Sequence, residues 1–455
     1  MSHATVRFRI LHFLYHRGSA VQHWFSMRIR PAGIGALLIV SLGSFMSIGQ
    51  PRNSIFQIFC LSLGMVSLAL FWVIFRRARL SATFQLPRQA TVGKEISYSV
   101  SLKNIGKYKV RAALIAQTPA DPRPTLREFS QTPEPGEEKR NIFDRMMAFY
   151  RWQWLLSGKK TFQIDSSASP VDLDPDETTR LTLRLTPLRR GVIPMEKIRA
   201  QLPDPLGFFQ KNKLITAPTS SLVVLPKRYR LPPIVMPGSA AFRIGGEETS
   251  NAIGSSGEFV GLRDYRPGDP LRLIHWKSWA HTGRPVVKEL EDTFYPRYAL
   301  VIDTFPGSAD EQVFEEIVSI AASFIVALDQ TESLLDLMFI SGKTYTVTAG
   351  RNMERTDKLL EALAAVQIDP AEDFATLSKS VRSHKESVTS CLLILNGWDT
   401  SREDFVKSLL KAGIPCVPLV IGNGPAPEGT IGHWLDAREI ARDLLRLPTH
   451  LSAAN

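Results

Sequence analysis

The sequence predicts a multidomain chain: a two-helix transmembrane hairpin, a β-sandwich-like domain, and a doubly wound α/β domain. Three patterns carry that prediction. Two apolar runs without a single charge, Pro31 to Gln50 and Ser54 to Phe75, lie near the start. Beyond Leu80, apolar and polar residues alternate with period two. Beyond Pro296, short continuous apolar runs alternate with helical stretches. A chain of 455 residues has room for two or three such domains.

Residues 1–30 form a basic N-terminal segment, and residues 31–76 the hairpin. Each apolar run is long enough to cross a hydrocarbon core about 30 Å thick as a helix. The link Gln50-Pro51-Arg52-Asn53 is too short for anything but a tight reversal. Gly35, Gly43, Ser44, Gly49 and Gly64 permit close helix packing. Arg17, Arg28 and Arg30 precede the hairpin, Arg76, Arg77 and Arg79 follow it, and only Arg52 lies between. The positive-inside rule then puts both termini in the cytoplasm. A cleaved signal peptide fits poorly, because the run starts late and a second follows at once. A buried core hairpin is the competing soluble reading.

Residues 80–230 read as the β-sandwich-like domain, with an insertion at 121–160. The stretch TVGKEISYSVSLKNIGK alternates and then turns at Asn104-Ile105-Gly106, Arg180 to Leu188 alternates again, and Ser221 to Pro226 is a last strand. Within the insertion, Asp121 to Lys139 reads as a Pro-rich loop and Asn141 to Leu156 as one helix. That helix places Phe143, Met147, Tyr150 and Trp154 on a single face. With Arg140, Arg151, Lys159 and Lys160 nearby, the face suits a membrane interface. Packing against the sandwich explains the same face equally well.

Residues 231–295 hold the densest motif, GEFVGLRDYRPGDPLRLIHWKSWAHTGRPVVKELED from Gly257 to Asp292. Arg263, Asp264, Asp269, Arg272, Lys277 and Arg284 mix both signs of charge around the turn Arg266-Pro267-Gly268-Asp269. Tyr265 and Trp276 add rigid apolar area, and His275 directly precedes Trp276. Arg and Trp are favoured anchors of interfaces, and Arg forks pair with carboxylates. His275, Ser278, His281 and Asp269 compose a catalytic set on paper, yet no spacing demands it. An interaction or structural role is the expected one.

Residues 296–455 alternate strand and helix, implying a mostly parallel sheet with helices on both faces. Ligands on such sheets bind outside the carboxyl ends of the strands, where Asp303 and Asn396 stand. The net charge of +11 comes without zinc-finger spacing, an RNA-recognition signature or a long Lys/Arg tract. A lipid bilayer therefore explains it better than nucleic acid. Cys60, Cys391 and Cys416 lack Cys-x-x-Cys spacing and read as three buried free thiols.

The segment from Gly257 to Asp292 closely resembles the signature of the bacterial family called domain of unknown function 58. Arg190-Gly191 and Asp204-Pro205-Leu206-Gly207 match a second family pattern, and the likeness runs from about Leu80 to the end. His281 departs from the Arg common in the family, and Trp279 from the usual small residue. The resemblance implies a von Willebrand factor A-like fold for residues 296–455. It also implies a MoxR-type AAA+ ATPase as partner and an inner-membrane, cytoplasm-facing adaptor that is not an enzyme and needs no cofactor. The metal site of such domains uses Asp-x-Ser-x-Ser; here Phe305 and Gly307 replace both hydroxyl ligands, and Leu395-Asn396-Gly397 replaces Thr-Asp-Gly. A degenerate site at Asp303 and Asn396, without bound metal, is the expectation, with Asp399 as a spare ligand. A hydrolase using the signature, or a metal-dependent ligand-binding module, are the alternatives.

Overall fold

The computed structural model describes residues 3–47, 54–164, 170–237, 258–291, 296–306, 311–329, 334–341, 344–349, 353–369, 374–385 and 388–453. The chain divides into two compact units, residues 1–227 and 228–455.

The first unit opens with three helices, α1 (His3–Arg28), α2 (Pro31–Met46) and α3 (Ser54–Phe75). The basic N-terminal segment is α1, continuous helix up to the residue pair before Pro31. α3 is long and apolar enough to cross a membrane. α2, at 16 residues, rises only about 24 Å and is shorter than a span needs. Two spanning helices were expected; one reaches that length, and the link with Arg52 lies outside the described residues. The two helices pack closely at Gly43, where a side-chain methyl would sit 3.2 Å from Phe59 Cβ. Cys60, expected buried, is exposed on α3.

The sandwich follows with β1 (Leu80–Gln85), β2 (Gln89–Thr91), β3 (Ile96–Asn104) and β4 (Val110–Gln117). The insertion then supplies α4 (Leu126–Gln131), α5 (Ile142–Met147) and α6 (Phe149–Gly158). The remaining strands are β5 (Phe162–Ile164), β6 (Val171–Leu173), β7 (Thr178–Pro187), β8 (Gly191–Pro203) and β9 (Gln210–Leu225). One sheet has the order β1-β3-β7-β5 and the other β2-β9-β8-β4-β6. Period-two alternation puts Tyr98, Val100 and Leu102 inward from β3, and Leu183 and Leu185 from β7. On β8 the inward set is Ile193 and Met195, then Ile198, Ala200 and Leu202. A register shift between Met195 and Lys197 makes that change of phase, since one extra residue flips the faces.

The motif Asp204-Pro205-Leu206-Gly207 forms the β8–β9 turn. Asp204 is buried and accepts N–H bonds from Leu206 and Phe209. The turn seats against the helices: Arg30 N–H donates to the Phe208 carbonyl at 3.0 Å, and Phe209 is buried with Val66 and Ala69 of α3. A methyl at Gly33 would lie 2.1 Å from that carbonyl oxygen, so glycine is required there.

The insertion differs from expectation twice. The Pro-rich loop contains α4, started by a capping box in which Thr125 and Glu128 exchange hydrogen bonds. The single helix is two, broken at Ala148 with φ of 51°. The break turns Arg151 and Trp152 inward. Trp152 packs on Phe129, Tyr15 and His12, closing a small core between α1, α4 and α6.

The second unit starts with the hairpin β10 (Glu258–Asp264) and β11 (Val286–Glu291), which brackets α7 (Trp276–Thr282). The large sheet contains β12 (Arg297–Ile302), β13 (Leu334–Ile340), β14 (Thr344–Ala349), β15 (Ser390–Asn396), β16 (Cys416–Gly422) and β17 (His433–Asp436). Its order is β14-β13-β12-β15-β16-β17, parallel except for β14. The helices are α8 (Glu311–Asp329), α9 (Met353–Ala365), α10 (Phe374–Ser383), α11 (Thr400–Lys411) and α12 (Ile440–Leu445). β15 and β16 are buried at every position, as doubly wound parallel strands must be. Cys391 and Cys416 face each other in register there, and burial pushes both thiols up, to about 12 and about 11.

Candidate functional site

Two clusters in the second unit have chemistry to examine. The first is the hairpin formed by the signature; its ends Gly257 and Asp292 lie outside the described residues. Arg263 forks onto Asp269 with two bonds of 2.7 Å, and the Arg266 N–H donates to the same carboxylate at 2.8 Å. These donors, Arg263 first, hold Asp269 down at about 2. Gly268, with φ of 110°, makes the turn possible. Arg263 therefore pairs with Asp269, and Arg272 does not.

Beyond the turn, Ile274 is buried beside Val287, and the His275 N–H bonds to the Val286 carbonyl at 2.8 Å. This pins α7 to β11. The His275 ring caps α7: Nδ1 accepts the Ser278 N–H at 3.3 Å and lies 2.7 Å from the Ser278 hydroxyl. An accepting Nδ1 puts the ring proton on Nε2. Gly283, with φ of 66°, ends the helix. Of the four residues composed on paper, His275 and Ser278 meet, while His281 is exposed and Asp269 is committed to Arg263.

What the hairpin presents is a surface. Trp276 is 64% exposed and stacks on Trp279 at 5.2 Å with rings 19° apart. Leu271 and Phe259 are exposed on the same motif. Arg266, Arg272, Lys277 and Arg284 are exposed, and none forms an ion pair among the described residues. Asp264 is exposed and Tyr265 half-buried, its N–H bonded to Pro285.

The second cluster lies at the carboxyl ends of β12 and β15, neighbours from which the sheet winds in opposite directions. Asp303 is fully buried. Its Oδ1 accepts the Phe305 N–H at 3.0 Å, and its Oδ2 accepts the Asn396 N–H at 2.9 Å and Arg402 Nε at 2.7 Å. Arg402, also fully buried, donates as well to Asp399 and to the Pro306 carbonyl, and lies 5.2 Å from the Phe374 ring centre. Burial pushes the Asp303 carboxyl up, and the Arg402 charge with both amide bonds pulls against that rise. Asn396 donates to the Phe305 carbonyl at 3.1 Å. Asp399 caps α11 through the Arg402 N–H and is no spare ligand.

Sequence reasoning missed Arg402. A guanidinium stands against the carboxylate where the resemblance implied a lost cation. The signal was Asp399-x-x-Arg402 at the start of a helix beside a buried strand end. Among the described residues, no group of three metal-ligating side chains comes together. Gly307 lies outside them; Phe305 is fully buried and fills core rather than facing a cation.

The residues expected at a membrane interface belong to the first unit. Phe143 and Tyr150 are exposed, while Met147 and Trp154 are half-buried. The basic residues meant to accompany them are mostly spent. Arg151 pairs with Glu137, Arg140 with Glu134, and Lys159 with Glu128. Arg151 is buried, because its guanidinium also caps the Phe129 carbonyl.

Fold and sites together define a two-unit protein: apolar helices mounted on a β-sandwich, then a doubly wound α/β unit headed by an Arg- and Trp-bearing hairpin. Residues 261–391 match the family described as "Protein of unknown function DUF58". The chain is also similar to "Uncharacterized protein YeaD" of Bacillus subtilis (strain 168), 23% identical over 199 residues. That match covers 44% of this chain and spans about half, 48%, of the relative. Among solved structures, the CARDB domain of the PF1109 protein from Pyrococcus furiosus is 17% identical. It covers 33% of this chain and 91% of that one, with a TM-score of 0.16. Human COPII-coat protein Sec24c is 9% identical over 33% of this chain and 32% of that one, with a TM-score of 0.22. Scores this low carry nothing about fold or function.

Proposed function

We propose that this protein is a membrane-anchored, cytoplasm-facing scaffold that acts without catalysing a reaction, and that its signature hairpin docks a MoxR-type AAA+ ATPase. The observation that carries the reading is the hairpin's division of labour. Arg263, Asp269, His275 and Ser278 are spent on shape, and Trp276, Leu271, Arg272, Lys277 and Arg284 are left at the surface. A rigid aromatic among unpaired cations suits a partner with an acidic rim around an apolar pocket. The second unit is then a von Willebrand factor A-like domain in which Arg402 stands in for the metal.

Anchoring rests on α2 and α3, whose outward side chains are apolar along their length, Leu38, Phe45, Leu61 and Ile74 among them. The Arg clusters on either side of the pair favour an inner-membrane hairpin with both termini cytoplasmic, the bilayer thinning locally to meet the shorter α2. A role in envelope protein maturation or stress suits that placement. The full chain, purified in detergent with its membrane partners, should retain an AAA+ ATPase. Trp276→Ala with Arg272→Ala should cut retention at least about tenfold, with the fold intact. Equal retention by wild type and double variant removes the hairpin from the interface. A reporter fused after Asn455 that works only in the periplasm removes the topology.

A further inference from the structure

A cavity of about 730 Å³ lies in the first unit between α1 and the sandwich. Its floor is the outer face of the β4–β8 pair. Ala116 stands opposite Arg199 and Leu114 opposite Gln201, so the side chains of Leu114, Ala116 and Thr118 share that face with Arg199 and Gln201. α1 roofs it with Ser19, His23 and Met27. One end is apolar, walled by Leu156, Ile164 and Leu183. The volume is that of a site for a small-molecule ligand.

The polar floor is unfinished. Arg199 is half-buried and has no carboxylate partner among the described residues. Its Nη1 meets only the Met27 sulfur, at 2.7 Å, a weak acceptor for a full cation. Gln201 Nε2 reaches that sulfur from 3.9 Å. The Thr118 hydroxyl is buried and has no hydrogen-bond partner among the described residues. Such groups cost free energy unless something accepts from them. The other charges around the cavity are accounted for. Arg123 forks onto Asp121, and Arg184 lies 3.7 Å from Glu95. His23 is pushed down, first by desolvation and then by the charges of Arg199 and Arg123, with Asp121 pulling the other way.

We propose that this cavity binds one anionic amphiphile, its phosphate or carboxylate on Arg199, Gln201 and Thr118 and its acyl chain along the Leu114, Leu156 and Leu183 walls. Met27 lies near the end of α1, four residues before Pro31, where α2 begins. An anionic membrane lipid is thus the nearest source, and that clause alone rests on reading α2 and α3 as membrane-embedded. The partner-docking hairpin plays no part in it.

The test is native mass spectrometry of the full chain in a neutral maltoside detergent, with 1-oleoyl lysophosphatidylglycerol added. Wild type should hold one molecule. Arg199→Gln should lower retention about tenfold, Ala116→Trp should abolish it by filling the floor, and Arg180→Gln, on the exposed side of β7, should change nothing. Oleoyl lysophosphatidylcholine should be held at least about tenfold more weakly, and oleate should distinguish a carboxylate from a phosphate headgroup. Three results overturn the proposal: both cavity variants retaining the lipid like wild type, equal retention of the zwitterionic lipid, or inorganic phosphate alone binding as tightly as the acylated probe. Should Arg199→Gln fail to fold, Ala116→Trp and the headgroup series decide.

Discussion

Replacing Arg402 by Met tests the strand-end cluster most sharply. The side chain is fully buried, so Met keeps much of the volume while removing the cation from Asp303, Asp399 and the Pro306 carbonyl. Asp303 is left as a buried carboxylate satisfied by two amide N–H groups only. Removing one partner of a buried pair costs roughly 3–5 kcal/mol. The readout is amide hydrogen exchange in β15 and α11, which reports opening of this part of the unit. That loss corresponds to exchange faster by roughly two to three and a half powers of ten. Asp303→Asn should cost less, because Arg402 keeps Asp399. The double variant should recover part of the loss, since neither charge is then stranded. If Arg402→Met speeds exchange by less than about fivefold, the pair is not what holds the strand ends together.

Three further outcomes follow from the geometry. The full chain should show no saturable heat with Mg²⁺ or Mn²⁺ below about a millimolar by calorimetry, because the Arg402 guanidinium already engages the Asp303 carboxylate; binding abolished by Asp303→Ala would contradict this. Asp269 should titrate near about 2 by carboxyl NMR, below its ordinary 3.8. Its contribution to holding the turn is therefore complete above about pH 4 and lost as pH falls toward 2, and Arg263→Gln should move the midpoint back up. The emission lost on Trp152→Phe, taken as a difference spectrum, should be blue-shifted without lipid and unmoved by anionic vesicles; a lipid-dependent shift of that difference would mean the α1–α4–α6 core opens at the bilayer.

The α/β unit was the most legible part of the chain. The alternation of strand and helix read beyond Pro296 is present, because fully buried strands need continuous apolar runs that little else produces. The short β17 and α12 were missed, being only 4 and 6 residues long. The sandwich was legible where alternation is clean, as on β3 and β7. It was lost on β8 and on the first part of β9, where the bulge near Met195 breaks the phase and Gln210 to Leu214 carry polar residues inside a strand; the end of β9 was legible as the run from Ser221. In the insertion, periodicity alone implied one helix, and the left-handed Ala148 gives no warning in the sequence. Thr125-x-x-Glu128 did announce α4 and went unread. At the sites, the charge-rich turn was visible but its pairing was not. Arg263 and Arg272 are both within a few residues of Asp269, and only the β10–β11 register brings the first one close. Arg402 could not be seen as buried without knowing that Asp303 and the start of α11 converge.

The β8–β9 turn has a mechanical consequence. Phe208 and Phe209 lie against α2 and α3, Arg30 is bonded to the turn, and Arg76 is bonded back to Pro203 and to Arg111. Only three residues then separate Arg76 from the first sandwich strand at Leu80. The sandwich is thus bolted to its helices rather than leashed to them, and it cannot swivel without pulling aromatic rings out of a packed seat. A load applied to the sandwich would pass into α2 and α3 as tilt. The same bolting makes the helices part of the fold. A chain cut free of residues 1–79 loses the cover of Phe209 on one side and of Phe129 and Trp152 on the other, and would carry two raw apolar scars into water.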